Sequence, residues 1–113
     1  MLSKTRALSI LAFLMVFAVI PVAAEEVPTY TLTIKDHRFT PAELKVPAGK
    51  KIKLIVKNED ATAEEFESHD LHREKIIAGG AEASFTLRPL DKGSYTFFGE
   101  FNPETAQGKL IAE

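Results

Sequence analysis

Oxygen-donor side chains are concentrated in two short stretches of this 113-residue sequence, and their spacing suits a metal ion. The candidate ligands are Glu64, Glu65, Glu67, Glu100, Asn102 and Glu104. Carboxylate and amide oxygens are hard ligands, which suit iron(III), manganese or calcium better than copper(I). The sequence therefore predicts a hard-cation site if the fold brings the two stretches together.

The first stretch has the alternation of a strand. In a strand that begins at Glu64, Phe66 points into the core, so Glu65 and Glu67 share the opposite face and are placed to converge on one ion. Glu64, at the open end of that strand, is expected to meet the second stretch, at Glu100 and Asn102. A Glu-x-Glu pair is also typical of a solvated surface strand in an acidic protein, and this alternative stays open.

Three histidines add candidate nitrogen ligands. His37 follows Asp36, a pairing that fits a metal ligand oriented by a carboxylate and also fits a turn residue, which we favour slightly. His69 and His72 flank Asp70 and are followed by Glu74, and they need a helical turn or a tight loop to converge on a divalent ion such as copper(II) or zinc. Exposed loop histidines are the simpler interpretation of that pair.

Short strands must position these side chains. Residues 30–35 alternate apolar and polar, and residues 51–57 do so more strongly, which predicts two half-buried strands. The predicted strands cover 30–35, 41–46, 51–57, 65–68, 74–77, 83–87, 95–98 and 109–112. About eight short strands separated by turn residues, with no long helix, predict an all-β, antiparallel Greek-key β-sandwich.

The N-terminus predicts a segment that is not part of the sandwich. Two basic residues precede a fourteen-residue, mostly apolar stretch at residues 7–20, and small residues end at Ala24. This pattern predicts a Sec-type signal peptide at 1–24, cleaved to leave one domain at 25–113 in the periplasm. Fourteen residues span a bilayer poorly, because about 20 are needed, so we expect the mature domain not to be embedded in a membrane.

Charge and cysteine content restrict the function of the mature chain. It keeps all 16 acidic residues and 12 of the 14 basic ones, since Lys4 and Arg6 leave with the signal peptide, and the difference is a net charge of −4. This charge disfavours nucleic-acid binding and mildly favours cations. The absence of cysteine means that core packing alone must hold a small exported domain together.

Several motifs together resemble the cupredoxins. The stretch FTPAELKVPAGKKIKLIVKNED is similar to the first half of a cupredoxin, and GSYTFFGEF with GKLIAE is similar to the second half. The middle stretch, EEFESHDLHREKIIAGGAEASFTL, resembles the EfeO-type cupredoxin-like domain and the small periplasmic (FtrB-like) cupredoxin-like proteins of bacterial iron-permease systems. The resemblance implies a role in iron uptake, with an inner-membrane iron permease and other periplasmic components as partners. It also implies iron, or copper used to oxidise iron, bound by carboxylates in the Glu-Phe-Glu region.

The cupredoxin copper ligands are all replaced. In cupredoxins the final loop reads aromatic-x-Cys-x-x-His-Pro-x-x-Met-x-Gly, and here Gly99, Asn102 and Ala106 stand at the Cys, His and Met positions. Spacing places Glu64, or Glu65, at the remaining His position. A blue-copper site requires the soft thiolate, so a type 1 copper site is excluded in a chain without cysteine.

Two other classes of function stay open. A cupredoxin-like scaffold can assist ferrous iron oxidation at a bound metal, but no nucleophile, base and orienting group for hydrolysis or group transfer is visible in the sequence. The stronger rival is a metal-free docking module of the same transport system. In that case the segment FFGEF, residues 97–101, is its apolar contact patch.

Overall fold

The computed structural model describes residues 11–19 and 26–113, and all nine of its strands lie in the second range. The strands are β1 Thr29–Lys35, β2 Arg38–Thr40, β3 Glu43–Val46, β4 Ile52–Asn58, β5 Glu64–Ser68, β6 Arg73–Ile77, β7 Glu82–Leu87, β8 Gly93–Gly99 and β9 Gln107–Ala112. No helix occurs in these described residues, which confirms the all-β prediction. Most of the predicted signal peptide, including its cleavage site, lies outside the described residues, so the division at Ala24 stays a prediction.

The strands form two sheets that pack into a sandwich. The four-stranded sheet has the order β2-β1-β4-β7, and the five-stranded sheet has the order β3-β9-β8-β5-β6. Two pairings are parallel, β1 with β4 and β3 with β9, and the other pairings are antiparallel. The predicted sandwich is therefore confirmed, with mixed sheets and one strand more than the sequence pattern indicated.

The additional strand is β2, which the sequence pattern assigned to a turn. Asp36 and His37 both have positive φ angles, of 51° and 56°, and form a two-residue connection that returns the chain at once. Lys35 therefore pairs directly with Arg38. Two central residues with positive φ are typical of the tight hairpin turn that matches the twist of its strands. A three-residue strand is too short to show a period, which is why its sequence did not predict it.

The core lies between the two sheets and is built from alternate residues of each strand. Four phenylalanines meet at its centre, with ring centroids 4.9–6.0 Å apart. They are Phe39, Phe66, Phe85 and Phe97. Every buried apolar residue of the described chain lies between Leu32 and Ala112, while the large apolar side chains within residues 11–19 are more than 70% exposed. Residues 26–113 thus contain the whole described core, and we expect them to fold on their own.

Among residues 11–19 and 26–113, no helix is long and apolar enough to span a bilayer.

Candidate metal centre

The two faces of strand β5 differ in burial, and each face carries at least one glutamate. Its inward residues Glu64, Phe66 and Ser68 are buried, and its outward residues Glu65 and Glu67 are half-buried. This alternation is the one that the sequence predicts. Because β5 lies between β6 and β8, its outward carboxylates have neighbours on both sides.

Three outward carboxylates converge on the outer face of the five-stranded sheet. Glu65, Glu67 and Glu100 each offer one oxygen, and these three oxygens lie within 4.8 Å of one another. The position of Glu100 is fixed by its main chain, whose N–H donates a hydrogen bond to the Glu65 carbonyl at 2.9 Å. We call Glu65, Glu67 and Glu100 the carboxylate cluster. The structure thereby brings both predicted stretches to one place.

A fourth carboxylate, Glu74 on β6, stands beside the cluster. Glu74 is the cross-strand partner of Glu67 in the β5–β6 hairpin. The sequence predicted strands at 65–68 and 74–77 but did not place Glu74 beside Glu65 and Glu67. The missing information was the register, since a shift of one residue turns Glu74 to the other face.

The carboxylates of the cluster perturb one another's protonation. A hydrogen bond with Glu74, partial burial and the negative charges of Glu74, Glu100 and Glu67 raise the pKa of Glu65 to about 7. A hydrogen bond with Glu100, partial burial and the charges of Glu100 and Glu74 raise the pKa of Glu67, and His69 opposes this rise. Like charges held together disfavour the fully ionised state. A bound cation would relieve this repulsion.

Glu64 takes a different role from its neighbours, because its carboxylate turns into the sandwich. It is 1% exposed and accepts three hydrogen bonds. The N–H groups of Glu65 and Phe101 donate to Oε1 at 3.0 and 2.9 Å, and the Asn102 side-chain amide donates to Oε2 at 2.7 Å. Glu64 thus meets Asn102 as expected, whereas Glu100 lies with Glu65 and Glu67 on the outer face.

The four positions that resemble copper-ligand positions do meet in space. A Cβ atom placed on Gly99 would lie 2.6 Å from the Glu64 carboxyl carbon and 2.7 Å from the Ala106 Cβ. With Asn102 bonded to the same carboxylate, residues 64, 99, 102 and 106 form one contact group. The Glu64 side chain fills the space that a side chain at position 99 would need.

Copper of the blue type does not fit this group. It offers one carboxylate, one amide, a glycine and an alanine, in place of the two imidazoles and the thiolate that such a site requires. Both carboxylate oxygens of Glu64 already accept internal hydrogen bonds. The interior position is a hydrogen-bonded network, and the carboxylate cluster outside it is the candidate metal centre.

The other predicted ligands lie away from the cluster. His37 sits in the tight β1–β2 turn, where its N–H donates to Asp60 at 3.0 Å and its Nδ1 lies 3.6 Å from the same carboxylate. Glu104 is exposed, and His37 and Glu104 line one surface pocket with residues of the 101–105 loop. The structure therefore favours the turn interpretation of His37.

His69 lies at the edge of the carboxylate cluster. Its Nε2 is 3.8 Å from a carboxylate oxygen of Glu67, and its ring lies 5.6 Å from that of Phe98. Both His69 and His72 line a pocket of about 380 Å³ that also includes Glu67 and Glu74. The Asp70 between them turns away to accept hydrogen bonds from Thr96, which lower the pKa of Asp70.

The family assignment rests on a match along nearly the whole chain. The family model described as a cupredoxin-like domain matches residues 7–112. This chain belongs to that family. The narrower likeness to EfeO-type domains stays a prediction.

One relative of this cupredoxin-like protein is an uncharacterized protein of Rickettsia prowazekii (strain Madrid E). The two sequences are 52% identical over 80 residues, which cover 71% of this chain and 64% of the relative. The chain thus spans less than two thirds of that relative's length.

Solved copper-binding proteins share the fold of this cupredoxin-like domain. Auracyanin A, a blue copper protein from Chloroflexus aurantiacus, aligns with a TM-score of 0.67 at 16% identity, covering 78% of this chain and 100% of that chain. The metal-binding domain of the Cu(I)-exporting P-type ATPase of Streptococcus pneumoniae D39, solved with Cu(I), aligns with a TM-score of 0.63 at 12% identity. That alignment covers 75% of this chain and 84% of the other. At these identities the likeness shows the fold, and it confirms the predicted cupredoxin-like sandwich.

Proposed function

We propose that this cupredoxin-like domain binds a metal cation through the carboxylate cluster and serves iron uptake in the periplasm. The cation is iron, or copper used to oxidise iron, and the partners are an inner-membrane iron permease and other components of the same system. The observation that carries this proposal is the convergence of Glu65, Glu67 and Glu100, whose oxygens lie within 4.8 Å of one another. Sequence resemblance to iron-permease-associated proteins supports the choice of metal and of pathway.

The chemistry of the cluster favours a hard cation. All three ligands are carboxylates, which suit iron(III) and other hard ions better than copper(I). Hydrogen bonds with neighbouring carboxyl groups, partial burial and like charges raise the pKa values of Glu65 and Glu67, and a bound cation would cancel the charge repulsion among them. Glu65 and Glu67 are half-buried and Glu100 is exposed, so the cluster is open to a partner, which suits a protein that receives and passes on an ion.

Metal titration of residues 26–113 tests the proposal. Iron(II) under anaerobic conditions, iron(III) citrate and copper(II) are titrated into the domain, with binding followed by calorimetry. We expect saturable binding, and we expect the Glu65→Gln/Glu67→Gln variant to lose about a hundredfold or more in affinity. The reason is that ligand loss exceeds the 10–100-fold effect of losing a residue that only orients a ligand.

A charge-matched variant is the control. Glu59→Gln/Glu82→Gln removes the same two charges from exposed positions outside the cluster, and its affinity should stay within about twofold of the wild type. Equal losses in both variants would show only a net-charge effect. Unchanged binding in the Glu65→Gln/Glu67→Gln variant would show that the carboxylate site is wrong.

A metal-free docking module is the second candidate, and one observation favours it. Of the predicted apolar patch at residues 97–101, Phe97 is buried and Phe98 is half-buried, but Phe101 is 48% exposed beside Glu100. Ile76, which pairs with Glu65 across the β5–β6 hairpin, is 60% exposed. These two apolar side chains flank the carboxylate cluster and offer a contact surface for a partner.

The Phe101→Ser/Ile76→Ser variant separates the two candidates. If the domain is a docking module, cells that carry this variant should grow poorly on limiting iron. Cells that carry the Glu65→Gln/Glu67→Gln variant should then grow normally. If the Glu65→Gln/Glu67→Gln variant loses this contribution to growth and the Phe101→Ser/Ile76→Ser variant keeps it, the metal-binding function is supported.

A further inference from the structure

The outer face of the four-stranded sheet, on the opposite side of the sandwich from the carboxylate cluster, is basic. Its strands contain four basic residues and a single acidic one, Glu82. The four are Lys35, Arg38, Lys53 and Lys57, and all are exposed. We call them the basic face.

The pairing register shows that these side chains lie on one surface. Lys35 pairs with Arg38, so their side chains are direct cross-strand neighbours. Lys57 pairs with Thr33, two residues before Lys35, and Lys53 lies four residues before Lys57 on the same face. The inward neighbours of these residues are fully buried, which fixes the direction of the alternation.

Two carboxylates lie near the basic face: Glu82 is the direct cross-strand partner of Lys57, and the charge of Lys35 contributes to lowering the pKa of Asp60. Within residues 26–113, none of the four forms an ion pair within 4.0 Å of a carboxylate. Packed sheets lie about 10 Å apart, and the Debye length at physiological ionic strength is about 8 Å. The carboxylate cluster lies on the outer face of the other sheet, so its negative charge has little effect at the basic face. The predicted mature chain as a whole is nevertheless acidic.

The remaining residues of this face decide which kind of partner fits. Its other outward strand positions are mainly hydroxyl residues: Thr29, Thr31, Thr33, Thr40, Ser84 and Thr86. One half-buried aliphatic residue, Ile55, lies among them, and no aromatic residue does. Protein interfaces are enriched in aromatic anchors at their centres and depleted in lysine. A sheet face of lysines and small hydroxyl residues instead suits contact with a surface of dense negative charge.

We propose that the basic face docks this domain on a membrane surface rich in anionic phospholipid. Lysine and arginine side chains near such a surface attract its headgroups without inserting into the bilayer. Because the carboxylate cluster lies on the other sheet, docking in this orientation leaves the cluster facing away from the membrane. The proposal is independent of whether the cluster binds a metal.

Vesicle co-sedimentation tests the proposal with residues 26–113, which lack the apolar N-terminal stretch. Vesicles of phosphatidylglycerol and phosphatidylcholine in equal parts are compared with vesicles of phosphatidylcholine alone, at 25 and 150 mM salt. We expect binding to the anionic vesicles only, weakened by salt. The Lys35→Gln/Lys53→Gln/Lys57→Gln variant should bind at least about tenfold more weakly, since each basic residue near such a surface contributes about fivefold.

The control variant, Lys45→Gln/Lys75→Gln/Lys92→Gln, removes the same charge from exposed lysines outside the basic face and should bind like the wild type. Equal weakening of both variants would overturn the proposal, because binding would then follow net charge alone. Absence of wild-type binding to anionic vesicles would also overturn it. So would tighter binding to a single-stranded oligonucleotide than to the vesicles, because the face would then be a general polyanion site.

Discussion

The buried carboxylate of Glu64 explains why the closing loop keeps its shape without metal ligands. In cupredoxins a metal joins the residues of this region, whereas here one carboxylate joins the start of β5 to the loop after β8. It does so through the N–H of Phe101 and the side chain of Asn102. A hydrogen bond to a charged group typically contributes about 1.5–3 kcal/mol. The replaced ligand positions are therefore linked to one another, and they have to be changed together.

The Glu64–Asn102 pair gives a test by exchange of its partners. Asn102→Asp places a second carboxylate where an amide now donates at 2.7 Å, and we expect it to lower the free energy of unfolding by about 1–3 kcal/mol. Adding Glu64→Gln to that variant restores a donor facing an acceptor, so stability should return towards the wild-type value. Urea denaturation at pH 7 measures both changes. A double variant as unstable as Asn102→Asp alone would show that this pair does not hold the loop.

Gly99 gives a second test at the residue scale. A Cβ at position 99 would lie 2.6 Å from the Glu64 carboxyl carbon, so Gly99→Ala should destabilise the domain by about 1–3 kcal/mol. In a Glu64→Ala background only the contact with the Ala106 Cβ at 2.7 Å remains, so the same substitution should destabilise the domain less. A double-mutant cycle from urea denaturation measures this coupling. Additive effects would contradict the contact between the two positions.

At the scale of elements, the β5–β6 hairpin and the end of β8 place four carboxylates on one face, and this predicts a pH dependence. The pKa of Glu65 is raised to about 7 and that of Glu67 is also raised, so the folded state holds these protons more tightly than the unfolded chain does. The stability that they contribute is fully present below pH 4.5 and is lost as the pH rises through about 7. The melting temperature of the metal-free domain should fall over this window, as measured by circular dichroism.

One variant and an added cation make this pH prediction specific. The Glu65→Gln/Glu67→Gln variant should lose the fall, and a cation added at pH 8 should raise the melting temperature of the wild type alone. Asp60 and Asp70 do not produce the fall, because their pKa values are lowered and their contribution is lost only below about pH 4. A melting temperature that rises steadily from pH 4.5 to 7 would contradict the arrangement of the carboxylate cluster.

At the scale of the whole molecule, the core of four phenylalanines holds together a domain that has no disulfide. Phe97 is 1% exposed and contacts both Phe39 and Phe66. Phe97→Ala should lower the free energy of unfolding by about 3–5 kcal/mol, a large part of the stability of a domain of this size. Tyr95 is only half-buried, so Tyr95→Ala should have a smaller effect. Urea denaturation compares the two variants, and equal losses would show that the core does not centre on Phe97.

The sequence predicted the sandwich well because alternation is a local property. The strong alternation of β4 and β7 places their apolar residues inward, as the structure does. The outward direction of Glu65 and Glu67 followed from the same period. What local pattern does not contain is register, so the pairing of Glu74 with Glu67 and the parallel partners of β1 and β3 had to come from the structure.

The interior network was also beyond the reach of the sequence pattern. Motif spacing placed Glu64 at a former ligand position, but it could not show that the carboxylate would accept bonds from the loop and fill the space above Gly99. A buried glutamate is uncommon, and a sequence gives no sign of burial at the end of a strand. In the structure, some of the predicted metal ligands therefore form the outer carboxylate cluster, and Glu64 and Asn102 form the interior hydrogen-bonded network.

The position of β9 has a consequence for how this protein is made. Residues 107–112 lie between β3 and β8, and β9 is the only partner of β3 within the described chain. The five-stranded sheet therefore stays divided until these residues have been synthesised. A nascent chain emerging from the ribosome therefore cannot complete its sandwich until β9 has been synthesised. Late completion of the sandwich would suit the Sec-type export that the N-terminal sequence predicts, because such a channel threads unfolded chains.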